Sequence, residues 1–153
     1  MLISKKFDVK ICLQAKNSIY FSTNALREDL GVSFRAASHW LDILETLYYH
    51  FRIYPYTSKH VRSMKKTPKL YLWDWSELSD EGARLENMIA SHLLKFCSFL
   101  SDTEGYKTEL FYIRDREQRE VDFLVCCDKK IWFCVEVKTK YKSIPGALRY
   151  FRD

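Results

Sequence analysis

A Glu-X-Lys pair follows an apolar run in the C-terminal part of the sequence. Residues 131–135 are all apolar, and Glu136 and Lys138 come directly after them. Because residues i and i+2 of a strand share a face, Glu136 and Lys138 would lie side by side. A continuous apolar run is typical of a strand covered on both faces. The pattern therefore predicts a charged pair at the rim of a buried sheet, where a site can form.

Asp122 lies in the preceding apolar run and would face Glu136 on the neighbouring strand. A polar turn at residues 128–130 would pair the two runs as antiparallel strands, with residues 122 and 136 opposite each other. Two carboxylates so placed repel each other unless a cation lies between them. Mg²⁺ and Mn²⁺ prefer such oxygen ligands. Lys138 could orient or deprotonate an attacking water, or neutralise the charge that develops on a phosphorane.

Glu86 is a further acidic candidate. It lies within a predicted helix on an otherwise apolar stripe, where a carboxylate needs a partner. We therefore predict Glu86, Asp122 and Glu136 as metal ligands and, together with Lys138, as catalytic residues. The alternative is structural: Glu136 and Lys138 form an ion pair, and Asp122 caps a turn. For any single residue this alternative is preferred, whereas the combination favours a site.

A mixed α/β core is needed to bring these residues together. Ser79 or Asp80 can cap the helix that carries Glu86, and Gly105 marks the loop that ends it. The predicted core stripe of this helix is Leu85, Ile89, His92 or Leu93, Phe96 and Leu100. Three strands and a final helix are predicted at residues 109–113, 119–126, 130–139 and 144–152.

The N-terminal part has the outline of a winged helix. Ser22 or Thr23 can cap a short helix through residue 30, and Gly31 permits a turn. Ser33 can cap a second helix over residues 34–49, whose apolar positions recur every three or four residues. Two short strands follow, at residues 51–54 and 69–73, around a basic loop.

Basic residues concentrate in this hairpin. Between residues 51 and 72 there are six basic residues and no acid, a pattern that suits a polyanion. The candidate nucleic-acid contacts, on the second helix and the hairpin, are Arg35, His39, Arg52, Lys59, Arg62, Lys65 and Lys66. The alternative is a solvated loop in a packing or dimerisation module.

The composition indicates a folded protein without a membrane span. Of the 153 residues, 47% are hydrophobic, which is enough to form a core, and the net charge is +5. No apolar stretch approaches the ~20 residues that span a bilayer, and no signal peptide is evident, so a cytoplasmic location is expected. Five cysteines without a CxxC pair favour buried thiols over a zinc site.

Five ordered segments resemble domain of unknown function 4143, which forms the C-terminal part of many bacterial and archaeal AAA-like ATPases. They read LREDLGVSFRAASHWLDILETL, TPKLYLWDW, RLENMIASHLLK, FYIRDREQREVDFLV and VEVKTK. Within them, Glu86, Asp122 and the acid-X-Lys of Glu136 and Lys138 resemble the signature of PD-(D/E)XK nucleases.

The resemblance implies an α/β (α+β) chain in two parts. Residues 1–75 would form a winged helix-turn-helix segment, and residues 76–153 a PD-(D/E)XK restriction-endonuclease-like core that ends before a further strand. The implied function is a Mg²⁺- or Mn²⁺-dependent DNA phosphodiesterase; the alternative is a catalytically inactive nucleic-acid-binding, regulatory or protein-interaction module. An ATPase domain or subunit is the implied partner, and the chain lacks the G-x-x-x-x-G-K-[ST] loop of an ATPase.

Overall fold

The computed structural model describes residues 23–57, 67–115, 117–140, 143 and 146–152. The helices are α1 (Thr23–Leu30), α2 (Phe34–Thr46), α3 (Glu81–Thr103) and α4 (Gly146–Arg152), with a short 3-10 helix at Trp75–Glu77. The strands are β1 (His50–Pro55), β2 (Lys69–Leu72), β3 (Thr108–Arg114), β4 (Glu120–Cys127) and β5 (Lys130–Val135). The predicted mixed α/β class is therefore confirmed.

All five strands form one mixed sheet in the order β2-β1-β3-β4-β5. Strand β1 is antiparallel to β2 and parallel to β3, whereas β3, β4 and β5 form an antiparallel meander. The hairpin of the N-terminal part and the three strands of the C-terminal part thus share one hydrogen-bonded sheet.

The local signals for the helix ends act as their chemistry predicts. The Ser33 side chain accepts a hydrogen bond from the Ala36 amide at 3.2 Å, which caps α2. Asp80 caps α3 in the same way, through the Ala83 amide at 2.7 Å. Gly31 has a φ of 59°, in the left-handed region that the turn between α1 and α2 requires.

Helices cover both faces of the sheet. Helices α1 and α2 pack on one face, in a core that includes Leu26, Trp40, Leu41 and Leu72. Helix α3 packs on the other face, against the aromatic cluster of Phe51, Tyr71, Tyr112 and Phe123. Strand β2 is buried throughout because its alternate residues enter these two cores.

Three details differ from the sequence predictions. Helix α2 ends at Thr46 rather than at residue 49, because the backbone turns at Tyr48, whose φ is 55°. Strand β5 ends at Val135 rather than at residue 139, so that Glu136 and Lys138 follow the strand. The expectation that residues 131–135 are covered on both faces is wrong at their start, since Ile131 is 56% and Trp132 52% exposed at the edge strand.

The face that α3 presents to the sheet is only partly the predicted one, since Ile89 and Leu93 pack against the aromatic cluster as partly buried residues. Its buried residues are Ala83, Asn87, Ala90, Ser91 and Cys97. Phe96, which was predicted in the core, is 38% exposed and stacks on Trp132. Small residues face the sheet because bulky aromatic rings already fill the space beneath the helix.

Within the described residues, no helix has the length and apolar character needed to cross a bilayer.

Candidate active site at one end of the sheet

The topology brings charged residues from four elements to one end of the sheet. The start of β2, the start of β4 and the end of β5 all lie at this end. In the β4–β5 pair, Phe123 is opposite Val135, the last residue of β5, and Asp122 and Glu136 are the next residues along each chain. The two acids therefore lie at the same end of this strand pair. Glu86 reaches the same place from α3.

Lys69 occupies the centre of this group. Its side chain is 1% exposed, and its Nζ atom lies 2.6 Å from Glu120 Oε1, 3.2 Å from Glu86 Oε1 and 3.7 Å from Asp122 Oδ1. The ammonium also lies 5.3 Å from the centre of the Tyr112 ring, within the range of a cation–π contact. One buried cation thus joins carboxylates from α3 and β4.

Tyr71 adds a neutral donor to the site. Its hydroxyl donates a hydrogen bond to Glu86 Oε1 at 2.8 Å, and the same oxygen accepts from Lys69. Burial, followed by the nearby Glu86 carboxylate, raises the pKa of the Tyr71 phenol well above its usual value. Tyr71 is therefore a hydrogen-bond donor rather than a base in this arrangement.

The Glu136-Val137-Lys138 segment packs against Asp122. Asp122 Oδ2 accepts a hydrogen bond from the Val137 amide at 2.8 Å, which fixes the chain just after β5. Lys138 Nζ lies 2.7 Å from Glu136 Oε1, and this hydrogen bond is the main cause of a raised Lys138 pKa. Glu136 is nearly buried, whereas the Lys138 side chain is about half exposed.

The crowding of acids changes their protonation. Burial raises the pKa of Glu120 to about 7, and the charges of Asp122 and Glu136 act in the same direction. The charge of Lys138 lowers the Glu120 pKa. Lys69 Nζ, at 2.6 Å, is a further cation beside this carboxyl group and favours its ionised form. Burial also raises the Glu86 pKa, while Lys69 lowers it. The carboxylates are therefore only partly neutralised by the cations around them.

The donor chemistry of this site fits a divalent cation. Its four carboxylates and two ammonium groups belong to Glu86, Glu120, Asp122, Glu136, Lys69 and Lys138. Acids outnumber cations, and oxygen ligands are those that Mg²⁺ prefers. Within the described residues, however, no group of three or more His, Cys, Asp or Glu side chains is arranged to hold a metal ion. In this structure the ammonium groups of Lys69 and Lys138, rather than a metal ion, lie next to the carboxylates.

Sequence reasoning did not select Lys69, Tyr71 or Glu120 as site residues. Lys69 was counted only as part of the basic block. Its signal is that Lys69 and Tyr71 alternate with Leu70 and Leu72 on an otherwise apolar strand, so the lysine points to a buried face. A lysine on a buried face requires an acidic partner.

The candidate nucleic-acid residues separate into three groups, of which Arg52 forms the last. Lys59, Arg62, Lys65 and Lys66 lie outside the described residues, and their role stays a prediction. Arg35 and His39 are exposed on α2, as a contact with a polyanion requires.

Arg52 is held within the fold. Its guanidinium lies 2.9 Å from Asp42 and 3.1 Å from Glu45, and its side chain is 16% exposed. The hydrogen bond to Asp42 and the Glu45 charge raise the Arg52 pKa against the effect of burial. These contacts join β1 to α2, so the cation has a clear structural role.

Comparison with known families divides the chain between two models. Residues 81–153 match the Domain of unknown function (DUF4143). The resemblance to domain of unknown function 4143 is thereby confirmed for this part of the chain. Residues 10–79 match a second model, the Domain of unknown function (DUF8612), and this range contains two of the five segments quoted above, including the one with Lys69. The candidate site therefore combines four acids of the DUF4143 range with a lysine from the DUF8612 range.

Neither of the other comparisons adds a relative. No curated protein and no solved structure gives a significant match to the chain.

Proposed function

We propose that the chain carries a metal-dependent phosphodiesterase site of the PD-(D/E)XK type that acts on DNA. The observation that carries this proposal is the convergence of Glu86, Asp122, Glu136 and Lys138 at one end of the sheet. That signature has an acid on a helix, then an acid on a strand, and then an acid-X-Lys sequence at the next strand. The residues of this chain occur in the same order, with the acid-X-Lys after the strand. The excess of carboxylates over ammonium groups supports the same assignment.

Each residue has a role that its position supports. Asp122, Glu136 and Glu86 would hold Mg²⁺ or Mn²⁺, which supplies charge stabilisation to the phosphate when bound. Lys138 is the exposed member and would position the attacking water or neutralise charge on the phosphorane. The hydrogen bond from the Val137 amide to Asp122 keeps the acid-X-Lys segment in place.

The N-terminal elements would hold the duplex. The order α1, Gly31 turn, α2, β1 and β2 fits a winged helix, and Arg35 and His39 are exposed on its second helix. Contacts of this kind go mainly to phosphates and fix the position of the duplex. An AAA-like ATPase domain or subunit, with which this family is associated, would be the partner.

Plasmid nicking tests the assignment. With Mg²⁺ or Mn²⁺, we expect the wild-type chain to nick supercoiled plasmid. Asp122→Asn should abolish nicking, and Lys138→Met should reduce its rate on the order of 10²–10⁴-fold, as removal of an acid–base group does. Asp102→Asn, at the exposed end of α3, serves as the control and should cleave like the wild type. Failure of the wild type to nick, or equal rates for all four chains, would remove the assignment.

A second candidate function is a non-catalytic nucleic-acid-binding or regulatory module. The observation that favours it is Lys69, which satisfies Glu86, Glu120 and Asp122 without a metal. Such a module would bind duplex DNA in the absence of divalent cations, with an affinity that falls steeply with salt. Fluorescence anisotropy with a labelled duplex measures this, and equal affinity for wild type and Asp122→Asn, without nicking, would favour the module.

A further inference from the structure

Lys69 lies where a cation shared by several carboxylates would lie. Its Nζ atom is within 2.6–3.7 Å of oxygens from Glu86, Glu120 and Asp122, which come from α3 and β4. An ion held by the same oxygens would need the space that the ammonium fills, because Mg²⁺ requires its ligands at about 2.0–2.1 Å. At these three oxygens the ammonium and a metal ion therefore exclude each other.

We propose that Lys69 is the resident cation of the site and competes with a divalent metal ion for Glu86 and Asp122. This inference rests on the proposed function, since it concerns the metal of the same site. A metal ion enters only when the Lys69 ammonium leaves the carboxylates. Lys69 is thus a positioning residue that controls metal access, and it does not touch the substrate.

The surroundings of Lys69 restrict how it can leave. Its backbone pairs with Ile53 of β1, and the preceding Thr67 carbonyl accepts a hydrogen bond from the Tyr112 hydroxyl at 2.8 Å. Further along β2, Leu72 is bound through both of its backbone groups by Asn87. The strand is therefore fixed, and release of the carboxylates is a rotation of the lysine side chain. The Tyr112 ring, whose centre lies 5.3 Å from the ammonium, is a contact that does not involve the carboxylates.

Calorimetric titration with Mn²⁺ alone tests the competition. We expect Lys69→Met to bind Mn²⁺ at least ~10-fold more tightly than the wild type, because no ammonium has to be displaced. Arg52→Met removes a partly buried cation that pairs with Asp42 and Glu45 outside the site, and it should leave the Mn²⁺ affinity unchanged. Equal or weaker binding by Lys69→Met would overturn the proposal, as would a lack of Mn²⁺ binding by every chain.

The wild-type chain provides a second measurement, since Lys69→Met leaves buried carboxylates without their cation and loses stability. The NMR signal of the Lys69 ammonium should shift when Mg²⁺ is added, while that of the exposed Lys95 stays in place. A Lys69 signal that is unchanged at saturating Mg²⁺ contradicts the competition.

Plasmid nicking in the same samples separates the two proposals. Tighter Mn²⁺ binding by Lys69→Met without nicking supports the role of Lys69 and removes the nuclease assignment. Nicking with an unchanged Lys69 signal supports the nuclease assignment and removes the role of Lys69.

Discussion

The ammonium of Lys69 lies 2.6 Å from Glu120 in a place that solvent barely reaches, although lysine is rarely buried. Desolvation of such a charge costs several kcal/mol unless opposite charges and hydrogen bonds compensate it. Here the compensation comes from carboxylates on α3 and β4. These acids would in turn repel one another without the lysine, so that the two sets of charges depend on each other.

His50 is a second residue whose environment is far from its usual one. It is fully buried, and its Nε2 atom lies 3.0 Å from the Leu41 carbonyl oxygen of α2. Burial lowers the His50 pKa to about 4, and the nearby Arg52 charge acts in the same direction. The neutral ring, with Nε2 as the donor, is therefore the form that the folded chain holds near neutral pH.

The free energy of unfolding should depend on the His50 proton. The unfolded chain takes up this proton near pH 6.5 and the folded chain only near pH 4, so the contribution of His50 to stability falls as the pH drops through that window. At 1.36 kcal/mol per pKa unit, this contribution is about 3 kcal/mol. Glu120, whose pKa is raised to about 7, acts in the opposite direction in every variant, so the contribution is measured as the difference in slope between wild type and His50→Gln in urea unfolding at a series of pH values. His39→Gln, at an exposed histidine, is the control and should keep the wild-type slope; the same slope for His50→Gln would contradict the prediction.

At the scale of elements, Asn87 fastens strand β2 to helix α3. Its side chain accepts a hydrogen bond from the Leu72 amide at 2.8 Å and donates one to the Leu72 carbonyl at 2.5 Å. Strand β2 is at the edge of the described sheet, and Asn87 satisfies backbone groups that a neighbouring strand would otherwise bind. The buried amide thus explains why a polar residue lies on the sheet-facing side of α3.

Asn87→Ala should destabilise the fold strongly. The substitution leaves a buried N–H and a buried C=O of Leu72 without this partner, so we expect a loss of about 2–4 kcal/mol in the free energy of unfolding. Urea denaturation measures the loss. Asn24→Ala removes an exposed hydrogen bond to Arg27 and should change stability by no more than about 0.5 kcal/mol. A similar small effect of Asn87→Ala would show that these hydrogen bonds contribute little.

The N-cap of α3 permits a test within one helix. Asp80→Ala removes the acceptor of the Ala83 amide and should cost about 0.5–2 kcal/mol. Asp102→Ala is the matched substitution in the last turn, where an acid is unfavourable to the helix dipole, and it should be neutral or slightly stabilising. Thermal unfolding followed by circular dichroism compares the two, and equal losses would argue against the cap.

At the scale of the whole molecule, the two family matches meet between residues 79 and 81, but the sheet and the site do not divide there. Strand β1 pairs with β3 across this boundary through Tyr54 and Phe111. Lys69 and Tyr71 of the first range contact Glu86 of the second. The candidate site and the sheet therefore both contain residues from the two ranges.

The segment 81–153 should therefore not fold cooperatively when it is produced alone. It lacks β1 and β2, and it leaves Glu86, Glu120 and Asp122 together without Lys69, so that like charges repel in a partly buried site. We expect broad thermal unfolding and poorly dispersed amide NMR signals, in contrast to the full chain under the same conditions. A sharp transition and dispersed signals from the segment would show that it is independent.

Local sequence determined most of the secondary structure. Ser33, Asp80 and Gly31 act within one helical turn, so their effects depend on neighbouring residues and were predictable. The face of α3 was only partly predictable, because which side of a helix is buried depends on the aromatic residues that four strands place beneath it. For the same reason the exposure of Trp132 follows from the position of β5 at the sheet edge.

The candidate site was determined partly by sequence and partly by tertiary structure. Strand periodicity and the turn after β4 relate Asp122 to Glu136 and Lys138 over a short stretch of chain, which a sequence can specify. The parallel pairing of β1 with β3 joins residues more than fifty positions apart, and it sets β2 and its Lys69 beside the acids of β4. A long-range contact has no local signal, so the sequence alone shows where the acids gather, and the tertiary structure decides which cation holds them.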